Sequence, residues 1–322
     1  MIIESDYLTE GLFGQVYVWM LEVLPYIDEQ KWRPDWRIRT KNYGEAPDFN
    51  IFPSIIQLNY EPEAEGSTLS FEELQRTKGV SFRHDFRKAG EYWNKFFCWP
   101  ADVSQRLDDF WTSHFRDATV LGVHYRGTDK NVDTFQTNPV SLSQYLCVVE
   151  DFLDSHPDVN SIFVASDDQC FIEAMSRFPN VCWHEQKRSE DNQPLWNRHD
   201  VSKNHIVAKE ALLDCLTLAK CKYGLKCMSQ LSAFSKVVNP ELEIYRVSAC
   251  KPGWFPEAFI PLYKSSNKAT QALLKVLQQD DFQSSAWSRG LGLHRRAARL
   301  ANQAWKRRNR LGEKAKELRL WK

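Results

Sequence analysis

Between Val120 and Lys130 the chain reads Val-Leu-Gly-Val-His-Tyr-Arg-Gly-Thr-Asp-Lys, an apolar run of strand type that stops at His124 and gives way to Arg126, Asp129 and Lys130. In an open α/β sheet, ligands bind at the loops that leave the carboxyl ends of strands. A guanidinium with a lysine four residues on suits a diphosphate: the planar fork donates in pairs and the ammonium adds a second positive charge. The competing reading is a buried strand followed by an ordinary charged turn. Two further segments share this build. Val164-Ala-Ser-Asp-Asp168 ends a strand in a serine and two acids, Asp167 and Asp168. Lys226-Cys-Met-Ser-Gln-Leu-Ser232 ends a strand in hydroxyls, Ser229 and Ser232, just before a helix. The first N–H groups of such a helix favour phosphate, and the same hydroxyls would equally serve as caps. Asp214, inside a helix expected over 203–220, could receive the two N–H donors of a guanine edge or could simply be solvated. One arginine, one lysine, a helix start and several acids together describe a nucleotide-diphosphate site rather than a metal site.

These segments need a scaffold, and the sequence alternates accordingly. Strands are expected at 118–125, 161–166, 181–183, 223–228 and 243–247, with helices at 141–153, 168–177, 203–220 and 232–238. Such alternation predicts a parallel sheet covered on both faces. The amino-terminal part reads as a strand (1–7), a turn with Gly11 and Gly14, a buried helix (16–27) and a second strand (36–40). That is the opening of another doubly wound sheet, although its glycines fall short of a dinucleotide fingerprint. Residues 41–70 look irregular. Residues 77–100 are aromatic and basic and suit helices completing the first half, with 102–115 leading into the second.

With 322 residues, 43% hydrophobic and 26% charged, the chain is an ordinary globular protein long enough for two domains. Its formal net charge of zero conceals an asymmetry: Arg289 to Lys322 hold twelve Lys/Arg against two Asp/Glu, so this tail carries +10 and the body −10. Leu293, Ala297, Leu300, Ala304, Leu311, Ala315 and Leu318 recur at helical steps there. The stripe would dock on the body or lie on an anionic membrane surface; nucleic acid is the least favoured partner. Eight cysteines show no metal-type spacing, which argues against zinc and for buried thiols in a reducing compartment. Neither a secretory signal nor a membrane-spanning run is visible, so a cytoplasmic protein is expected, with peripheral membrane contact through the tail as the open option.

The motifs resemble those of the fucosyltransferase family that includes the nodulation and core α1,6-fucosyltransferases, with protein O-fucosyltransferases as distant relatives. The family's His-x-Arg-Arg-x-Asp-Lys motif matches His124, Arg126, Asp129 and Lys130, with Gly127 in place of the second arginine. Its Ala-Thr-Asp-Asp motif matches Ala165 to Asp168. Its hydroxyl-rich motif is similar to Ser229-Gln-Leu-Ser232, and the preceding helix places Asp214 on the guanine-recognising acid. The likeness covers residues 117–248.

The resemblance implies an α/β fold of GT-B type, two Rossmann-like domains facing one another across a cleft, plus a basic C-terminal helix. On this reading residues 1–115 form the acceptor-side domain, 116–265 the GDP-sugar-binding domain and 266–322 the helical basic tail. The implied activity is inverting, metal-independent transfer of fucose from the donor substrate GDP-fucose to a glycan or glycolipid hydroxyl, with no cofactor. Donor contacts fall to His124, Arg126, Asp167, Asp168, Asp214, Ser229 and Ser232. Arg126 would stabilise the charge that grows on the β-phosphate. The proton acceptor is expected near 133, with Asp133 as the candidate, Asp129 as the alternative and Lys130 beside it. Two other readings stay open: a GT-B transferase with another nucleotide sugar, and a degenerate binding protein recruited by residues 289–322.

Overall fold

A computed structural model of the chain describes residues 1–6, 8, 9, 11–44, 46, 48–63, 66–128, 139–190, 204–249 and 255–278. Asp129, Lys130, Asp133 and the tail from 289 onward lie outside the described residues.

The first half begins with β1 (Ile2–Glu4), a π-helical turn (Leu12–Tyr17), α1 (Val18–Glu29) and β2 (Asp35–Arg37). It continues with α2 (Phe52–Ile55), β3 (Gln57–Leu58), β4 (Thr68–Ser70) and α3 (Phe71–Lys78). It closes with α4 (Phe86–Phe96), β5 (Phe97–Cys98) and α5 (Ala101–Phe115). The parallel sheet here has the order β2-β1-β4, and β3 pairs antiparallel with β5. Residues 41–70 therefore differ from the irregular stretch expected: Thr-Leu-Ser, flanked by glycine and glutamates, forms the third strand. A three-residue strand carries no usable alternation, and only the pairing with Ile2–Glu4 creates it.

The second half holds β6 (Val120–Tyr125), α6 (Leu142–Ser155), β7 (Ser161–Ser166), α7 (Gln169–Met175) and β8 (Val181–Cys182). After these come α8 (Asn204–Lys220), β9 (Tyr223–Lys226), α9 (Gln230–Val238), β10 (Glu243–Arg246) and α10 (Lys268–Leu277). All five strands are parallel, in the order β10-β9-β6-β7-β8. Every residue of β6 is buried, as a central strand covered on both faces requires. Ser141 opens α6 with a reciprocal capping box to Gln144. The strand order decides where a ligand can sit. After β8 the chain returns across β6 to lay down β9, so direction reverses beside β6, and the crevice lies outside the carboxyl ends of β6 and its neighbours.

The two halves share an apolar core that runs from Ile3 to Ile260. Tyr17, Trp93, Trp99 and Phe234 form its aromatic centre, with Trp93 and Phe234 edge to face at 5.1 Å. Helix α4 lies so close to α9 that a Cβ on Gly90 would stand 2.7 Å from the carbonyl oxygen of Val237. Lys209 pairs with Asp102 and Lys220 with Asp108, each at 2.7 Å, which fastens α8 to α5. Helix α10 packs on α6, and its Leu274 and Leu277 join the apolar core of the second half. Among the described residues, no helix is long and apolar enough to cross a membrane.

Candidate active site

The carboxyl edge of the second sheet gathers the predicted residues from three strand ends. Strand β6 delivers His124 and, one residue beyond its end, Arg126. Strand β7 delivers Asp167 and Asp168, and β9 leads through Lys226 to Ser229 and Ser232 at the start of α9. Parallel pairing makes this unavoidable, because His124 stands opposite both Ala165 and Lys226.

Asp167 holds the loop after β6. Its Oδ1 accepts the Gly127 N–H at 3.0 Å and its Oδ2 accepts the Thr128 hydroxyl at 2.6 Å. The Arg126 Nε lies 3.3 Å from Oδ2, and both side chains are about four-fifths buried, at 20% and 23% exposure. Asp167 thus acts on Arg126 as an orienting counter-ion. A partly buried ion pair of this kind restricts the rotamers of the guanidinium.

Asp168 spends its carboxylate differently. It caps α7, accepting the Cys170 N–H at 2.9 Å, and is almost fully buried. It also fills the space over Gly127: a Cβ there would lie 2.2 Å from Asp168 Oδ2 and 2.5 Å from its Cβ. Gly127, which stands where the motif it resembles has a second arginine, fits beside Asp168 because this loop has no room for a side chain at 127.

His124 is buried, with its Nδ1 3.1 Å from the Ser232 hydroxyl. Burial, then the charges of Lys226 and Arg126, hold its pKa well below the ordinary imidazole value, so it is neutral. Ser232 also donates to the Ser229 carbonyl at 3.3 Å. Its hydroxyl is thus engaged inside the protein. The Ser229 N–H donates to Glu257 Oε2 at 3.1 Å, and the Ser229 side chain makes no capping bond. Among the groups expected to face phosphate, Arg126 is held by Asp167, and the Ser229 side chain makes no capping bond to the first N–H groups of α9.

Asp214 lies on α8, buried, with Oδ2 accepting Gln186 Nε2 at 2.8 Å and Oδ1 without a hydrogen-bond partner. Burial raises its pKa to about 7, against the pull of Gln186 and Arg188, with Glu210 and Asp167 raising it further. An acid with one buried, unpartnered oxygen and a pKa near neutrality changes charge state readily when a hydrogen-bond donor reaches it.

Gln186 and Arg188 were not anticipated. They follow β8 on the same sheet edge, so the strand-end rule could have found them. Arg188 fixes its own segment, donating through Nη2 to the His184 carbonyl at 2.6 Å and through Nη1 to the Gln186 carbonyl at 3.2 Å. Glu257 was also missed. It lies 31 positions beyond Lys226, and no spacing rule connects the two.

Comparison with known proteins identifies no matching family model and no matching curated protein. Solved structures of the NodZ α1,6-fucosyltransferase do share the fold. The enzyme from Bradyrhizobium is 14% identical, aligned over 74% of this chain and 93% of that chain, with a TM-score of 0.53. A NodZ crystal soaked with GDP-fucose gives 14% identity over the same shares and a TM-score of 0.52. One co-crystallised with GDP gives 15% and 0.51, again with 74% and 93% covered. The fold is accordingly α/β with parallel sheets, of the GT-B kind.

Proposed function

We propose that the chain is an inverting, metal-independent glycosyltransferase that moves fucose from GDP-fucose to a glycan or glycolipid hydroxyl. The observation that carries this reading is the convergence, at the switch point of a GT-B-type sheet, of three groups. They are Arg126 held by Asp167, an uncapped start of α9, and the half-satisfied acid Asp214. Those groups suit the two ends of a guanosine diphosphate: Arg126 and the helix start for the phosphates, Asp214 for the guanine N–H pair.

In the reaction the acceptor oxygen bonds to the fucose C1 as the bond from C1 to the β-phosphate oxygen breaks. The leaving electron pair goes to that phosphate, and the acceptor proton goes to a base. Arg126 is assigned the growing phosphate charge, since preorganised donors aimed at developing charge supply much of a transferase's rate gain. Asp133, or Asp129, with Lys130 beside it, is assigned the proton. Acceptor binding falls to the first half of the chain, residues 1–115, and donor binding to 116–265.

Titration calorimetry with GDP in EDTA is expected to show saturable binding, and a nucleotide-sugar panel to show turnover of GDP-fucose above other donors. Arg126→Ala is expected to cut transfer by roughly 10²–10³-fold with an unchanged circular dichroism spectrum. Absence of GDP binding in the wild-type chain defeats the donor assignment. Near wild-type transfer by the folded variant removes Arg126 from the mechanism.

A further inference from the structure

Lys226 is fully buried at the end of β9, in an otherwise apolar strand that does not explain it. Its Nζ lies 2.5 Å from Glu257 Oε2, and the same oxygen accepts the Ser229 N–H. Glu257 is itself 1% exposed. One carboxylate oxygen therefore joins the last residue of β9 to the residue that opens α9, across the turn where the diphosphate is assigned. Removing two charges from water is costly, and apolar residues would fill such a place at no loss of stability. The pair must then be explained by what it fixes.

The turn that presents Glu257 is itself fixed on both sides. Arg246 donates through Nε to the Ile260 carbonyl at 2.8 Å and through its N–H to the Pro261 carbonyl at 2.8 Å, which fastens the turn to the end of β10. Phe255 packs on Phe86 at 5.3 Å and on Phe82 at 5.9 Å, and Phe259 meets His84 edge to face at 4.8 Å. Phe82, His84 and Phe86 all belong to the first half, so the turn is anchored to the acceptor side while its carboxylate reaches the donor side.

We propose that Glu257 is a positioning residue for the phosphate end of the donor site. Through the Ser229 N–H it sets where the first turn of α9 stands, and Lys226 supplies the counter-charge that lets a carboxylate occupy that buried place. The inference rests on the donor reading above and deepens it. With the Ser229 amide bound to Glu257, the N–H groups that follow it are the ones left to meet phosphate.

Two double variants test this without stranding a buried charge. Lys226→Met/Glu257→Gln keeps a carbonyl acceptor for the Ser229 N–H, whereas Lys226→Met/Glu257→Ala removes it. Two readouts apply to both: hydrogen exchange at the Gln230 and Leu231 amides, and the ratio of GDP to guanosine affinity. The Ala variant is expected to exchange faster at both amides and to lose about tenfold of its preference for GDP, with guanosine binding unchanged. The Gln variant is expected to stay close to wild type in both. Equal exchange and equal preference in the two folded variants overturn the proposal. So does a loss of guanosine and GDP binding in parallel, which marks a purely structural role. A wild-type chain that binds no GDP counts against the donor reading alone, because the exchange comparison still decides whether Glu257 positions α9.

Discussion

At the scale of single residues, Gly127 and Asp168 have to be considered as a pair. The loop after β6 passes over the carboxylate that caps α7, so a side chain at 127 would clash with Asp168. Gly127→Arg, which restores the motif on paper, is expected to cost at least about 2 kcal/mol of stability and to bring no gain in donor affinity. Thermal unfolding and GDP titration check both halves of that statement. Asp214 yields a second prediction. Its folded pKa, about 7, lies above the ordinary 3.8, so the folded chain holds that proton more tightly than the unfolded chain. Its contribution to stability is complete below about pH 4 and is lost as pH rises through about 7. Guanine binding has the opposite demand, because accepting two N–H donors requires the carboxylate form. GDP affinity is expected to fall as pH drops below about 7, by at most roughly tenfold per unit, and Asp214→Asn is expected to flatten that profile while weakening binding. A pH-independent wild-type affinity between 5.5 and 8 would remove Asp214 from base recognition.

At the scale of elements, the approach of α4 to α9 bears most directly on the site, because α9 starts at Ser229. Gly90 permits that approach. Gly90→Ala is expected to push the helices apart and cost about 1–3 kcal/mol, more than a helix-interior alanine would return by propensity. Equilibrium denaturation measures it; a neutral or stabilising result would mean that the interface gives way easily. The elements from β6 to β10 were legible in the sequence to within about two residues, whereas α10 was not anticipated as a separate helix. The strand 161–166 matches its expected bounds, and 118–125, 203–220 and 243–247 end within two residues of theirs. Long apolar runs bounded by polar turns carry that information locally. The first half was less legible: β4 and β5 have three and two residues, and such short strands exist only through their partners.

At the scale of the whole molecule, charge is distributed unevenly along the chain. The body from 1 to 288 carries −10, and residues 289–322 carry +10. The charge of the tail motivates a test of recruitment to an anionic membrane surface, as against docking on the acidic body. Deleting 289–322 is expected to leave GDP affinity unchanged and to abolish binding to vesicles containing anionic lipid, as cosedimentation would show. Vesicle binding that survives the deletion would refute this role. By itself the sequence determined the alternation of strands and helices in the second half. It also determined that His124, Arg126, Asp167 and Asp168 stand at strand ends and that Ser229 and Ser232 stand where a helix begins, since strand polarity and apolar runs are local properties of the chain. Only the tertiary structure decided which partner each of those groups meets. Asp167 is engaged by the β6 loop, Asp168 by the α7 cap, Ser232 by His124 and the Ser229 amide by Glu257. The physical reason is that buried polar groups must find partners, and those partners come from segments as far apart as Ser232 and His124, separated by 108 positions.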